Sequence, residues 1–422
     1  MTDNGRRTAV IGAGIAGLTA AYLLSARDHT TLFEADDRLG GHAHTHQVTD
    51  AAGGTHGVDS GFIVHNERTY PLLRRLFHEL DVATSPTEMS MSIRCEGCGL
   101  EYAGARGARG VLARPRNVAD PRFLRLLAEV PRFHRRARRL LAAGAASPLT
   151  VGAFLSQGRF SHYFTQHFAV PLVSAVWSCA PGQALRYPAV HLFRFLDHHG
   201  MLSVGGSPRW RVVDGGSANY VTPLAKRLTA VRTGTPVRTV LRHTDGARVI
   251  TEDGTTHVVD HVVVATHADQ ALALLGDATE RERRVLGAFR SSRNVTVLHT
   301  DSSLLPDRPA ARASWNYLIP ECAAPSGRVL VSYDMNRLQR LTATERYVVT
   351  LNPGQRVEPT SVLAHMTYEH PLFTPESVAA QAHLPELNDG VTAFAGAYHG
   401  WGFHEDGCRS GVAAARSLGV RW

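Results

Sequence analysis

Lysine is almost missing from this chain. Of the 45 lysine and arginine residues in its 422-residue sequence only Lys226 is lysine, so arginine carries nearly all of the formal net charge of +8. Chemistry that needs a lysine amine therefore has a single candidate position. Cysteine is scarce too: five residues, at 95, 98, 179, 322 and 408, are few and odd in number, which argues against a disulfide framework and for a reducing compartment. Cys95-Glu-Gly-Cys98 has zinc-knuckle spacing, yet no second pair and no His-x-x-x-His partner completes four ligands, so the spacing predicts a hairpin turn and no metal. No uncharged apolar stretch is long enough to cross a bilayer, and the opening Met1-Thr2-Asp3-Asn4 runs directly towards the first strand, giving the expectation of a cytoplasmic protein. Internal repeats and low-complexity tracts are absent, and so are the Gly-x-Ser-x-Gly elbow and the His-Glu-x-x-His helix, which leaves nucleophilic and zinc hydrolysis without support.

What the chain does have is a glycine loop. Ala9 to Leu24 reads as a buried strand, then Gly12, Gly14 and Gly17, then a helix through Ile15 and Ala16. Gly12 permits the tight turn, Gly14 lets backbone (with Ala13) approach a pyrophosphate, and Gly17 lets helix pack on strand, while free helix N–H groups face the anion. A second strand, Thr30 to Phe33, delivers Glu34 at the spacing of a ribose-binding carboxylate, with Ala35 beside it. Further on come Arg38, whose guanidinium can neutralise pyrophosphate oxygens, and Gly40-Gly41, which lets the chain pass beside a cofactor.

This extension resembles the FAD fingerprint of the amine oxidase and phytoene desaturase superfamily. The resemblance implies FAD, and it assigns His42, Gly61 and Phe62 to the cofactor's surroundings. A second block, Gly234-Thr-Pro-Val237 with strands at 238–243, 247–252 and 262–266, returns the chain to the flavin domain and places Val237 near the adenine. A third, Phe394 to Gly407, reads as strand, glycine loop and a helix from about Ser410 to Leu418, with Gly396, Asp406 and Gly407 closing on the flavin. The expected fold is α/β (α+β): a discontinuous Rossmann-like FAD-binding domain from 1–75, 205–270 and 385–422, and a mixed-sheet and helical substrate domain from 76–204 and 271–384.

Blocks along nearly the whole chain, among them Val58 to Pro71, Trp177 to Pro181, Phe193 to Gly200, Ser332 to Gln339 and Gly402 to Gly407, resemble a subgroup of NAD/FAD-binding amine-oxidase-like proteins found beside cyclopropane fatty acyl synthases. That implies dehydrogenation of lipid acyl chains. His65 and Cys408 depart from the pattern, marking either a different substrate or drift in a packed wall. Many amine oxidases of the superfamily place a lysine near flavin N5. Lys226 lies in a helix on the flavin domain, away from the expected ring face, which shifts weight from amine oxidation to desaturation, with oxygen or another acceptor taking the electrons.

Segments that the fold brings to the ring supply the catalytic candidates: His404 and Glu405 as an acid–base pair, Tyr398 and Trp401 as aromatic walls, and His65. Phe160, Phe164, Phe168, Trp177, Phe193 and Phe195 either line an apolar tunnel or form core. Eleven arginines between Arg106 and Arg139 face only Asp120 and Glu129, around apolar residues at helical spacing. Such a basic amphipathic helix either rests on anionic lipid or an acidic carrier protein, or is a solvated face over the core. No nucleic-acid module accompanies the charge.

Overall fold

The computed structural model describes residues 5–144, 149–203, 206–322 and 327–422; Met1 to Asn4 and the expected boundary at 205 lie outside them. The apolar opening run forms strand β1 (Arg7–Ile11), buried from Thr8 onward, followed by helix α1 (Ile15–Leu24) and strand β2 (His29–Phe33). β1 is the middle of a five-stranded parallel sheet in the order 230–232, β2, β1, 261–264, 392–394. Ile11 pairs with both Phe33 and Val264, and Val264 with Phe394, so every strand ends at the same edge. Three separated stretches of sequence thereby meet at one crevice beyond the carboxyl ends of the strands, where open α/β sheets bind ligands.

A second sheet of seven strands runs in the order 362–372, 290–299, 348–351, 331–334, 315–319, 91–95, 101–103. Between the two sheets, strand Trp210–Val213 pairs with Val64–Asn66 on one side and Thr84–Thr87 on the other. Segments expected on opposite sides of the boundary at residue 76 thus share one small sheet.

The closing helix spans His404–Ser417 and starts six residues earlier than the sequence suggests. Asp406 explains the difference: its carboxylate reaches back to the Phe403 N–H (3.1 Å), capping a helix that Gly407 does not interrupt. A Cβ at Gly407 would stand 2.7 Å from Ile15 Cγ2, so the glycine is there for close approach to α1, not to end or begin an element.

All six aromatic tunnel candidates belong to one core, with Trp177 and Phe195 buried in the same cluster as the phenylalanines. Phe160, Phe164, Phe168 and Phe193 surround Phe133 at centroid distances of 5.5–6.0 Å, and Phe133, Phe164 and Phe193 are essentially inaccessible. Phe133 sits on the arginine-rich helix Pro121–Ala142, which buries the stripe Phe123, Leu126, Phe133 and Ala137 and is N-capped by Asp120 through the Arg122 N–H (2.9 Å). The apolar face of that helix is therefore in the core, with its arginines outward.

Imidazoles are unusually deep in this fold. Burial pulls the pKa of His65, His191, His199 and His299 down to about 4, and that of His404 to about 3, because the charged ring loses its water. Each folded-state value lies below the ordinary 6.5, so stability is complete above pH 6.5 and is lost as pH falls towards 4. Asp59 and Asp406, both pushed up to about 6 by burial, act in the opposite sense and offset part of this. The denaturation midpoint of the protein should fall steadily from pH 7 to pH 5, with a net uptake of about two to four protons on unfolding; a midpoint flat over that range would contradict the buried neutral histidines.

Candidate cofactor and substrate site

The crevice is built by glycines that no other residue can replace. Gly12, at φ +99°, has its missing Cβ position 2.8 Å from the Ala265 carbonyl, and a Cβ at Gly17 would lie 1.9 Å from the Gly12 carbonyl oxygen. Gly14 differs: it has an ordinary φ of −72°, and no heavy atom lies within 4 Å of its Cβ position. Gly40 and Gly41 close the other side. The Gly40 N–H donates to the Ala13 carbonyl (2.8 Å), and a Cβ at Gly41 would reach within 3.1 Å of Gly14 Cα. A Cβ at Gly61 would collide with the His42 carbonyl, whose oxygen instead accepts from the Phe62 N–H (2.7 Å).

Glu34 stands at the end of β2, its carboxylate accepting from the Ala13 N–H (2.6 Å) and the Asp36 N–H (3.0 Å). Ala35 is exposed beside it. The Thr235 N–H donates to the Glu34 carbonyl (2.8 Å), which brings the 234–237 block and half-buried Val237 to the same place. Arg38 Nη1 is buried without a hydrogen-bond partner. An orphaned guanidinium N–H at Arg38, open space at Gly14, and the N-termini of α1 and the closing helix meeting at Ile15 and Gly407 make up the donor set a pyrophosphate requires.

Beyond Gly41 the structure assembles a histidine belt, in which His42, assigned by the resemblance to the cofactor's surroundings, meets residues of a distant strand. The ring of His42 lies 5.0 Å from Tyr368 and 5.4 Å from His370, both on strand 362–372 of the second sheet. His44 Nδ1 and Ser60 Oγ hydrogen-bond the Tyr368 hydroxyl at 3.0 and 2.6 Å, and His46 Nε2 bonds Ser60 at 2.8 Å. Burial, then the nearby Arg38 charge, holds His44 down to about 3 and lowers His46. His42 is lowered well below its ordinary value by burial and by its neighbouring imidazoles. The belt is thus neutral at physiological pH. Behind it, buried Asp59 accepts from Thr45 Oγ1 (2.6 Å), from Ser217 N–H and Oγ (2.9 and 2.7 Å) and from Gln339 Nε2 (3.1 Å), tying three distant segments together.

The catalytic candidates separate. Glu405 gives both carboxylate oxygens to backbone amides, Leu72 N–H (3.1 Å) and Leu73 N–H (2.9 Å), and so caps helix α2 (Pro71–Glu79). Used that way it is not a free acid or base. His404 stacks on Phe62 at 3.7 Å and 7° and bonds the Tyr220 hydroxyl at 2.6 Å; with its pKa at about 3 it is a poor proton acceptor. His65 packs edge-on to Phe77 behind that pair. Tyr398 is buried against Phe289 in the nucleotide-domain core and is no wall of the site. Trp401 is placed differently: it contacts His198, Phe195 and His191 of helix Ala189–His198, and its carbonyl accepts from the Trp177 indole N–H (2.8 Å). Asp406 fixes this loop by accepting from the Trp401 N–H (3.0 Å), and Gly396 holds its start through Ser410 Oγ (2.8 Å).

With that geometry in view, the comparisons are specific at the family level. A family model described as flavin containing amine oxidoreductase matches residues 15–418, nearly the whole chain. The chain belongs to this family. FAD is the family's cofactor, the crevice fits it, and the protein is by family a flavin-dependent oxidoreductase. Among curated relatives, L-amino-acid oxidases of Pseudechis australis and Crotalus adamanteus are 49% identical over 47 residues and 44% identical over 50. Those segments take in 11–12% of this chain and only about a tenth of the relatives' length (9% and 10%). Solved structures similar over the full length are a fatty acid isomerase from P. acnes (TM-score 0.70, 16% identity, 99% of each chain), a putrescine oxidase variant (0.69, 16%, 98% of each) and the cyclohexylamine oxidase of Brevibacterium oxydans IH-35A (0.67, 17%, 98% of each).

In this family member Lys226 caps the helix Ala218–Ala225 and lines, with Arg38 and Thr45, a cavity of about 540 Å³. Substituting Gly14→Val should give folded, colourless protein whose flavin content drops at least about tenfold, since the new side chain enters open space meant for the pyrophosphate. Visible absorbance per chain, beside a thermal melt, reads this out.

Proposed function

We propose that the protein removes two hydrogens from a largely apolar substrate, an acyl chain, and passes the electrons to oxygen or another acceptor. When bound, FAD supplies the hydride acceptor at its N5. The chain's part is to hold a C–H bond there and to keep water out. The observation that carries this reading is the wall contributed by the closing loop. Trp401 and Phe403 pack on Phe195, which shares one aromatic cluster with Trp177 and Phe373, and the imidazoles among them, His191, His198 and His199, all have their pKa lowered by burial. An aromatic, uncharged surround of this kind favours an alkyl chain over an ammonium, and the loop's own carboxylate, Asp406, is committed to the Trp401 and Phe403 N–H groups. Full-length likeness to a fatty acid isomerase is in keeping with an acyl substrate and also keeps open a non-redox isomerase or mutase. Likeness to putrescine and cyclohexylamine oxidases supports the second reading, oxidation of an amine to an imine.

Among the described residues no helix is long and apolar enough to cross a membrane. Leu112, Val118 and Leu124, exposed by 44–49%, nonetheless stand among Arg109, Arg116, Arg122 and Arg125. We read this patch as a seat on an anionic lipid surface, with an acidic carrier as the competing partner. Anionic vesicles should sediment the protein and zwitterionic ones should not; the pair Leu112→Asp and Leu124→Asp should weaken that binding about fivefold or more. Equal sedimentation with both vesicle types removes the lipid surface as partner.

Under anaerobic conditions long-chain acyl substrates should bleach the flavin at least about tenfold faster than amines of similar size. Faster bleaching by amines selects the imine reading. An acyl product of unchanged mass, formed only after prereduction, selects isomerisation, and no bleaching by any substrate reduces the chain to a flavin-binding subunit.

A further inference from the structure

The structure completes the zinc-knuckle spacing that the sequence leaves half empty. Strands Met91–Cys95 and Glu101–Ala103 form the expected hairpin, with Cys98 in its turn and the Cys95 N–H donating to the Leu100 carbonyl (2.8 Å). Parallel pairing of Ile319 with Cys95 carries the end of the neighbouring strand past this turn and delivers Cys322 to it. The approach is tight: a Cβ at Gly97 would lie 2.9 Å from Cys322 N and 3.1 Å from its Sγ. From the other side comes His167, in a one-turn π-helical stretch, Thr165–Ala169, of the kind often found where a side chain must be re-aimed.

We propose that Cys95, Cys98, Cys322 and His167 form a tetrahedral zinc site that is structural and separate from the flavin crevice. All four donor atoms lie within 4.8 Å of one another. Zinc–sulfur bonds of about 2.3 Å and zinc–nitrogen bonds of about 2.0 Å put neighbouring ligands about 3.5–3.8 Å apart. The observed separations bracket that range: Cys95 Sγ to Cys322 Sγ is 3.3 Å, Cys98 Sγ to His167 Nε2 is 3.6 Å, and Cys322 Sγ to His167 Nε2 is 4.0 Å. A disulfide needs about 2.0 Å, so the close sulfurs are not bonded. His167 is oriented as a ligand: its Nδ1 lies 3.1 Å from the Tyr163 carbonyl, and donating there leaves the Nε2 lone pair facing the thiols. Three thiolates around a dication leave one net negative charge. Arg116 donates to the carbonyls of Cys98 and Gly99, and the Arg122 guanidinium lies 5.2 Å from the Tyr163 ring centre, so part of the arginine-rich region surrounds the site with compensating charge. Soft thiolates with one imidazole in this number favour zinc over harder divalent ions.

The premise of the no-metal expectation, that nothing completes the pair, is not met among the described residues. The missing ligands exist, but 69 and 227 residues away from their partners. Bound zinc would staple the hairpin to the segment that continues into helix Val170–Trp177, whose Trp177 holds the Trp401 loop.

Elemental analysis of the flavin-loaded, full-length protein grown with zinc should find about one zinc per chain. Cys322→Ser and His167→Ala should each lose most of it while keeping the yellow colour, which reports the fold independently of the metal. Should both variants fail to fold, cobalt-substituted wild-type protein decides, since three thiolates and one imidazole give intense thiolate-to-cobalt charge-transfer absorption with tetrahedral d–d bands. Wild-type protein that takes up no zinc from excess, undiminished zinc in the folded variants, cobalt spectra without these bands, or a Cys95–Cys322 disulfide in the non-reduced peptide map would each overturn the site.

Discussion

Close packing of two helix N-termini against one glycine turn is the constraint on which this structure rests. α1 approaches the turn through Gly17, and the closing helix approaches α1 through Gly407 and Gly411, whose Cβ would stand 2.3 Å from the Ala16 carbonyl. Each close contact removes a side chain and gains proximity of two sets of free N–H groups, so the positive ends of two dipoles point into one crevice. Gly40 and Gly41 seal the opposite side by hydrogen bonding to Ala13 and abutting Gly14. A bulkier residue at Gly17 or Gly411 moves a helix, and with it every donor that faces the cofactor.

The second organising feature is the deliberate neutrality of the site's interior. An arginine-rich protein that binds a dianionic pyrophosphate can afford one orphaned guanidinium, Arg38, at the anion. It cannot accumulate further charge where a hydride is to move without stabilising the wrong state. His44 and His46 hydrogen-bond Tyr368 and Ser60 and are kept uncharged by burial and Arg38, while His42 packs on Tyr368 and His370 and is kept uncharged by burial and its neighbouring imidazoles. Asp59, pushed up to about 6, has its ionised form supported by Thr45, Ser217 and Gln339, which lie on three different segments. Polar networks of this kind define one arrangement of the two sheets, because any displacement strands a buried donor or acceptor.

How much of this is legible in the sequence follows from the range of the interactions. The glycine loop, Glu34 and Arg38 act through local backbone geometry, and each stands where its spacing predicts. So do the buried stripe of the arginine helix and the strands read at 30–33, 238–243, 247–252 and 262–266. Roles set by distant contacts are not visible. Glu405 looks like a catalytic acid beside His404, yet it caps a helix 332 residues earlier. Tyr398, two residues from the glycine loop's centre, turns the other way into the core. The helix start at His404 is masked because Gly407 looks like punctuation, and only Ile15 shows why a glycine stands there. Phe160, Phe164 and Phe168 have the same composition whether they line a tunnel or pack round Phe133.

Removing Glu405 and His404 from proton transfer changes what the site must do. A base with its pKa at about 3 beside a satisfied Tyr220 hydroxyl contributes shape: His404 braces the flat face of Phe62, itself fixed by the hydrogen bond from its N–H to the His42 carbonyl. Tyr368 and His370 of the second sheet, with His267, are titratable groups in contact with the belt at His42. Removing two hydrogens from an alkyl chain takes away a hydride and a proton, so the proton needs an acceptor; at neutral pH His370 is a neutral imidazole that can take one and Tyr368 a protonated phenol that cannot. An amine substrate places a different demand on the wall, a counter-charge, and Asp406, the carboxylate that touches this loop, is spent on the Trp401 and Phe403 N–H groups.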